Sequence, residues 1–174
     1  MIILGIDPGS RITGFGLIDN QAHRIEYVHS GSIRVGADSL TERLGQIFSE
    51  IEDVIRQYQP QQMSIENVFM ARNADSALKL GQARGAAICA GHNAGLEIAE
   101  YAAREIKQAI VGTGAASKEQ VQHMVKRLLG IRHDLQADEA DGLAIAICHA
   151  QFYATRQKTG LDSSQFKRRR SSRR

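Results

Sequence analysis

The chain of 174 residues has about the length of one domain, enough to bury roughly two-thirds of its unfolded surface in a single core. With 43% apolar residues, 24% charged residues and only 2 prolines, it does not fit a collagen-like, coiled-coil or wholly disordered class. The longest all-apolar run, Leu143 to Cys148, is far shorter than the ~20 residues that cross a membrane. We therefore expect no membrane association.

The compartment is predicted from the first residues and the cysteines. The N-terminal apolar stretch has no basic flank and ends at Asp7 and Pro8, so we expect no secretory signal. Cys89 and Cys148 both lie in helical patterns and indicate neither a disulfide framework nor a zinc site. Together these features predict a cytoplasmic protein.

The net charge of +3 is unevenly distributed. Residues 156–174 contain eight Lys and Arg and one acid, a net charge of +7, so residues 1–155 carry −4. We predict a folded domain over 1–155 and a disordered basic tail over 156–174 that attracts polyanions without sequence choice. A solvated terminus with no partner is the alternative interpretation of the tail.

The first 35 residues predict three strands. Residues 2–7 form an apolar run that stops at an Asp-Pro-Gly-Ser turn, and alternating apolar residues follow at 12–18. A third strand-like stretch covers 24–35, with an interruption at Ser30-Gly31. Because short polar turns join these stretches, we expect an antiparallel meander.

The rest of the chain alternates between helical and strand patterns. Apolar spacing predicts a helix over 39–58 that Pro60 ends, and Ser117 with Gln120 forms a capping box for a later helix. The other predicted elements are strands at 62–68 and 97–101 and helices at 73–92, 102–110 and 137–154. This order predicts an α/β fold, a mixed five-stranded sheet with helices on both faces.

The helix predicted over 73–92 carries small residues four positions apart. This small-residue stripe consists of Ala77, Gly81, Gly85 and Cys89. Such a flat surface allows another helix to pack closely, either within the same protomer or across a dimer interface. The sequence leaves both possibilities open, with packing inside the protomer slightly favoured.

Four acids interrupt apolar segments. Asp7 ends a buried strand and Glu66 lies inside another, while Asp138 and Asp141 share one face at the start of the most apolar helix. Taken singly, these acids can initiate a turn, pair with an arginine or stabilise a helix N-terminus. If they converge, their repulsion requires a hard divalent cation, Mg²⁺ or Mn²⁺ rather than Zn²⁺. Two such ions about 4 Å apart serve the attack of water on a phosphodiester.

The basic middle of the chain is the expected surface for a nucleic-acid substrate. Lys107 and Lys118 flank a Gly-Thr-Gly turn, and Phe69 follows a candidate metal ligand, where it can stack on an unpaired base or fill the core. The other candidate DNA contacts are Arg72, Lys79, Arg84 and Lys126. The six histidines show no ligand spacing, and none is assigned a role.

Five blocks of the sequence resemble the RuvC family of Holliday-junction resolvases, within the ribonuclease H-like superfamily. The blocks are Ile-Leu-Gly-Ile-Asp-Pro-Gly-Ser at 3–10, Ile-Glu-Asn-Val-Phe at 65–69, Asn-Ala-Asp-Ser-Ala-Leu-Lys-Leu-Gly-Gln-Ala-Arg-Gly at 73–85, Lys-Glu-Gln-Val-Gln-His-Met-Val at 118–125 and Ala-Asp-Glu-Ala-Asp-Gly-Leu-Ala at 137–144. They are distributed over essentially residues 1–150 in the family's order and spacing, and the block at 73–85 is the most specific.

The resemblance implies a homodimeric, Mg²⁺-dependent endonuclease that makes two symmetric incisions in four-way DNA junctions during recombination and repair. It also implies partnership with the RuvA and RuvB branch-migration proteins. The family's metal-binding acids fall on Asp7, Glu66, Asp138 and Asp141, its junction-contacting aromatic on Phe69, and its DNA-contacting lysines on Lys107 and Lys118. Glu139 and Gly142 depart from the alanines that the family usually has, and a helical glycine costs about 1 kcal/mol relative to alanine.

Two other classes of protein are alternatives to a nuclease. An ATP-binding sugar kinase or actin-like domain also begins with an Asp-x-Gly strand end, but it needs two lobes, for which 174 residues are few. A junction-binding module without catalysis would not need four acids beside a phosphate, because carboxylates repel DNA unless cations screen them.

Overall fold

The computed structural model describes residues 1–21, 24–36, 39–68 and 73–159. Within these ranges the chain forms one five-stranded sheet of order β3-β2-β1-β4-β5. Its strands are β1 (Ile2–Asp7), β2 (Ile12–Asn20), β3 (Ile25–Arg34), β4 (Gln62–Asn67) and β5 (Glu97–Ala102). The first three are antiparallel, whereas β4 is parallel to β1 and β5 is parallel to β4. The predicted mixed sheet is confirmed.

Five helices surround this sheet in the described part of the chain. They are α1 (Leu40–Tyr58), α2 (Ala74–Asn93), α3 (Ala103–Val111), α4 (Lys118–Leu129) and α5 (Ala137–Thr159). The predicted capping box is present, with Ser117 and Gln120 each accepting from the other's backbone N–H at the start of α4. Helix α5 continues to Thr159 rather than ending near residue 154, so the segment predicted as a tail begins within this helix. Residues 160–174 lie outside the described residues.

The sheet separates two apolar cores because strand side chains alternate between its faces. Leu4, Ile6, Met63 and Ile65 pack with α1 and α2 on one face. The opposite face is covered by α3, α4 and α5, and the central helix α5 is buried from Leu143 to Cys148. Alternate residues of β1 and β4, among them Asp7 and Glu66, are therefore directed at α5.

Helix α5 lies almost backbone to backbone against β1 and β2. A Cβ atom added to Gly5 would lie 2.2 Å from the Gly142 carbonyl oxygen, and one added to Gly16 would lie 2.5 Å from the Leu143 nitrogen. Gly5 and Gly16 are cross-strand partners, so together they form a flat patch on the sheet. The glycine at 142 also belongs to this contact, because its own added Cβ would lie 2.5 Å from the Phe15 carbonyl carbon.

A buried polar chain holds the middle of α5 to the two parallel strands. His149 on α5 is 2.8 Å from the Tyr101 hydroxyl through Nδ1 and 2.7 Å from the Gln62 Oε1 through Nε2. Burial lowers the pKa of His149 to about 4, so this imidazole is neutral at physiological pH. His149 therefore has a structural role.

The strand β3 and the helix α2 differ from the sequence predictions. β3 runs through Ser30-Gly31 without interruption, and Gly31 lies under the Phe15 ring, which a Cβ would approach to 2.6 Å. On α2 the buried positions are Ala83, Ala87, Ala90 and Gly91. The small-residue stripe lies elsewhere on this helix, and Cβ atoms at Gly81 and Gly85 would contact nothing within 4 Å. Packing of the stripe within its own protomer, the favoured prediction, is wrong.

No helix in the described ranges combines the length and apolar character that a membrane-spanning segment requires.

The close contact of α5 with the sheet predicts that Gly16→Ala destabilises the protein by about 1 to 3 kcal/mol, because the added methyl group pushes α5 away from β2. Gly45→Ala is the matched control. Gly45 lies in the interior of α1 with open space around it, and the substitution should stabilise the protein by about 0.5 to 1 kcal/mol. Urea unfolding measures both, and equal stability changes for the two variants would contradict the packing argument.

Candidate active site

Asp7 and Glu66 are brought together by the register of the two central parallel strands. Ile6 of β1 is paired with Ile65 of β4, so the acids are the next residues on adjacent strands. Both follow residues that face α1 and α2, and strand alternation therefore directs the two carboxyl groups to the α5 side. The carboxyl groups are hydrogen-bonded to each other there.

The first turn of α5 supplies the other two acids. Gly14 of β2 is the cross-strand partner of Asp7, and a Cβ added to it would lie only 2.0 Å from the Asp138 carbonyl oxygen. This contact places the start of α5 directly over the end of β1. Asp141, one turn further on, then lies close enough for its charge to raise the pKa values of Asp7 and Glu66. Both helix acids are half-buried.

Burial and mutual repulsion make this cluster electrostatically unfavourable when all its acids are ionised. Burial, with the charges of Glu66 and Asp141, raises the pKa of Asp7 to about 8. Burial also raises the pKa of Glu66 and of Asp141, the latter with a contribution from the Asp138 charge. In the protein without a cation, Asp7 is therefore protonated at neutral pH, and its carboxyl O–H donates a hydrogen bond to the Glu66 carboxylate.

Two lysines compensate part of this negative charge. The Lys118 Nζ lies 3.5 Å from the Asp141 Oδ2, and the acids around it raise the pKa of this ammonium group, Asp141 most strongly. Lys107 on α3 is close enough to lower the pKa values of Glu66 and Asp141. Both lysines thus lie at the carboxylate cluster, and their prediction as phosphate contacts stays a prediction.

The donor set fits a hard divalent cation, because it consists of carboxylate oxygens with raised pKa values at one edge of the sheet. In the described part of the chain, however, no three His, Cys, Asp or Glu side chains are already arranged to hold an ion. Asp7 is hydrogen-bonded to Glu66, and Asp141 is paired with Lys118. A bound cation would therefore displace the Asp7 proton and separate the Asp141–Lys118 pair.

The remaining predicted DNA contacts have different surroundings. Lys79 is exposed on α2 and pairs with Asp75 at 2.7 Å, and Lys126 lies half-buried near the end of α4. Arg84 is mostly buried and has two partners, the main-chain oxygen of Glu66 and the carboxylate of Glu100. Phe69 and Arg72 lie outside the described residues.

Sequence reasoning missed two features of the site. Glu139 accepts a hydrogen bond from the Gln136 backbone N–H at 3.2 Å, which stabilises the start of α5 beside the acids. The close approach of Gly14 to Asp138 was also missed. Gly14 and Gly16 occupy alternate positions of β2, and this spacing is the signal that one face of the strand lacks side chains.

The raised pKa of Asp7 predicts a pH-dependent stability of the cation-free protein. The folded state keeps the Asp7 proton that the unfolded chain loses above pH 3.8, so stability should fall as the pH rises from about 4 to about 8. Asp7→Asn removes this loss, since an amide can donate to Glu66 at any pH. In EDTA the variant should melt several degrees higher than wild type at pH 8, a gain on the order of 2 kcal/mol.

At pH 5 the melting temperatures of wild type and Asp7→Asn should be similar in EDTA. The control is Asp53→Asn, which changes an exposed acid of α1 and should melt like wild type at both pH values. A lower melting temperature of Asp7→Asn at pH 8 would contradict the assigned repulsion.

A family model and individual relatives match this chain. The model for the crossover junction endodeoxyribonuclease RuvC matches residues 3–149. The RuvC of Tolumonas auensis is 60% identical over 154 residues, which cover 88% of this chain and 89% of the relative. The RuvC of Pseudomonas entomophila is 56% identical over 172 residues, 99% of this chain and 97% of the relative.

Solved structures agree with this assignment. Thermus thermophilus RuvC in complex with a Holliday junction substrate superposes with a TM-score of 0.81 at 34% identity, over 88% of this chain and 94% of that one. The yeast mitochondrial resolvase Ydc2 shares the fold, with a TM-score of 0.68 at 12% identity, over 90% of this chain and 80% of that one. The family match excludes the sugar-kinase or actin-like alternative. The chain belongs to the family of the crossover junction endodeoxyribonuclease RuvC.

Proposed function

We propose that the protein is a Mg²⁺-dependent endonuclease that resolves four-way DNA junctions by two symmetric incisions. The observation that carries this proposal is the cluster of Asp7, Glu66 and Asp141 beside Lys107 and Lys118, in a member of the RuvC family. Carboxylates with raised pKa values beside lysine side chains are expected at a site that must bind metal ions and a phosphate together. A binding module without catalysis has no use for this cluster.

Asp7, Glu66, Asp138 and Asp141 would hold two Mg²⁺ ions, and Mn²⁺ would substitute because it prefers the same oxygen ligands. Bound ions of this kind lower the pKa of an attacking water and stabilise the leaving oxygen during phosphodiester hydrolysis. The chain itself fixes the ligands on two adjacent strands and one helix turn. Lys118, released from Asp141, is then free to contact the phosphate.

Lys107 and Lys118 are the proposed phosphate contacts nearest the reaction. Phe69, which follows β4, is proposed to stack on an unpaired base at the junction centre. We assign supporting backbone contacts to Arg72, Lys79 and Lys126. Such contacts position the DNA without reading its sequence.

A homodimer is proposed because two equivalent incisions across a two-fold junction require two sites related by a two-fold axis. The small-residue stripe of α2, which is only partly buried, supports this interface, and Leu78 beside it is 63% exposed. Because Gly81 and Gly85 have no side chain, the α2 helices of two protomers can approach each other closely at these positions.

The cellular setting is part of the proposal. The family resemblance supports action with the RuvA and RuvB branch-migration proteins in the cytoplasm. Cys89 and Cys148 are both unpaired, which is consistent with a reducing compartment. The basic segment at 156–174 is proposed to add sequence-independent attraction to DNA.

Cleavage of a synthetic four-way junction tests the function. With Mg²⁺, the protein should cut the junction at two symmetric positions and leave a matched linear duplex intact, and EDTA should abolish both cuts. Asp7→Asn should bind the junction but cut it at least about 100-fold more slowly, because a ligand charge is lost while the shape is kept. Denaturing gels resolve the products.

Asp53→Asn is the matched control for the cleavage assay and should cut like wild type, since its side chain is exposed on α1. Junction binding without cleavage in Mg²⁺ or Mn²⁺ would reject the nuclease and favour a binding module. Normal cleavage by Asp7→Asn would remove this residue from the metal site.

The α2 interface predicts that Leu78→Glu converts the dimer to a monomer, because it places a charge at the centre of an apolar contact. Leu128→Glu is the control, since Leu128 on α4 is also exposed, by 46%, but lies away from the stripe. Light scattering after size exclusion measures both masses. A dimer of unchanged affinity in Leu78→Glu would place the interface on another surface.

A further inference from the structure

We propose that Arg84 is a positioning residue for the metal site, which holds the end of β4 in place and does not contact DNA. This inference rests on the proposed function, because it assigns Glu66 as a metal ligand. It also changes the prediction from sequence, which placed Arg84 among the DNA contacts.

The side chain of Arg84 points into the protein. It leaves α2 and is only 18% exposed. Its Nε donates to the main-chain oxygen of Glu66 at 3.1 Å, and its Nη2 pairs with the carboxylate of Glu100 on β5. One guanidinium group thus joins a helix to two neighbouring strands at the edge where the acids are located.

The geometry of these contacts explains why the residue is an arginine. The two acceptors, a carbonyl oxygen and a carboxylate, require donors in two fixed directions, and the planar guanidinium supplies them from one rigid group. A lysine ammonium carries the same charge but cannot span both acceptors in this way. A lysine can contact a phosphate as a point charge, so the need for two donors from one group is specific to this pair of acceptors.

The position of the bond to Glu66 gives it an effect on the site. The carbonyl that Arg84 holds belongs to the same residue whose carboxyl group is bonded to Asp7. Fixing this carbonyl restricts the backbone rotation of Glu66 just before β4 ends at Asn67. Arg84 therefore determines where the Glu66 carboxylate lies relative to Asp7 and to a bound cation.

The sign of the effect on metal binding separates positioning from simple electrostatics. Arg84→Gln removes a positive charge that is bonded to the main chain of Glu66, and Coulomb's law alone predicts that a cation at the acids then binds no more weakly. Loss of positioning predicts weaker binding, by about 10- to 100-fold as for other residues that orient metal ligands. Arg84→Lys, which keeps the charge, should also bind the cation more weakly.

The experiment titrates Mn²⁺ into the full-length wild type, Arg84→Gln and Arg84→Lys without DNA and measures free Mn²⁺ by electron paramagnetic resonance. Junction affinity is measured in EDTA over a range of salt concentrations. The control is Arg56→Gln, an exposed arginine of α1 that pairs with Asp53 and should leave Mn²⁺ binding unchanged. Melting temperatures establish that each variant is folded. If Arg84→Gln does not fold, the Mn²⁺ affinity of Arg84→Lys decides between the two explanations.

Weaker Mn²⁺ binding by the Arg84 variants, with junction affinity and its salt dependence as in wild type, would support positioning. Unchanged or tighter Mn²⁺ binding would overturn it. If the Arg84 variants bind the junction more weakly, and the slope of log affinity against log salt concentration falls by about 1, Arg84 contacts a DNA phosphate and the inference is wrong. Wild-type cleavage of the junction, measured separately, distinguishes a failure of this inference from a failure of the proposed nuclease.

Discussion

The close packing of α5 on the glycine face of β1 and β2 is the constraint on which the rest of the structure depends. Gly5, Gly14 and Gly16 let the helix backbone approach the sheet to a distance that a Cβ would prevent. The same contact brings the first turn of α5, with Asp138 and Asp141, over the ends of two parallel strands. The fold therefore builds its carboxylate cluster beside a closely packed interface, where small displacements of the backbone are resisted.

In this arrangement, the acids that could bind cations also destabilise the folded protein. A buried carboxylate cluster disfavours the ionised folded state, as the raised pKa of Asp7 records. Lys107 and Lys118 compensate only in part, because an ammonium at 3.5 Å from one carboxylate cannot neutralise several acids. The remaining negative charge is what gives such a site its affinity for divalent cations, so the electrostatic cost to the fold and the capacity to bind cations have the same origin.

The sequence was sufficient to predict the sheet and most helix bounds, because both follow from local apolar spacing and from the alternation of strand residues. It identified the four acids as residues that interrupt apolar segments, but their relative positions depend on the pairing of β1 with β4 and on the docking of α5. It was insufficient where the outcome depended on contacts between distant segments. The spacing of small residues on α2 slightly favours packing of the stripe within the protomer over a dimer interface, yet Ala83, Ala87 and Ala90 are the residues that α2 buries. The environment of Gly142 is likewise visible only once β2 is placed beside it.

Helix α2 links two properties that the sequence alone would treat separately. One side of the helix presents the exposed stripe with Gly81 and Gly85, and from the same turn Arg84 reaches back to the carbonyl of Glu66. The proposed docking of two protomers through this stripe would restrain the helix from which Arg84 extends. The proposed assembly and the geometry of the proposed metal site would then be mechanically connected through the Arg84 side chain.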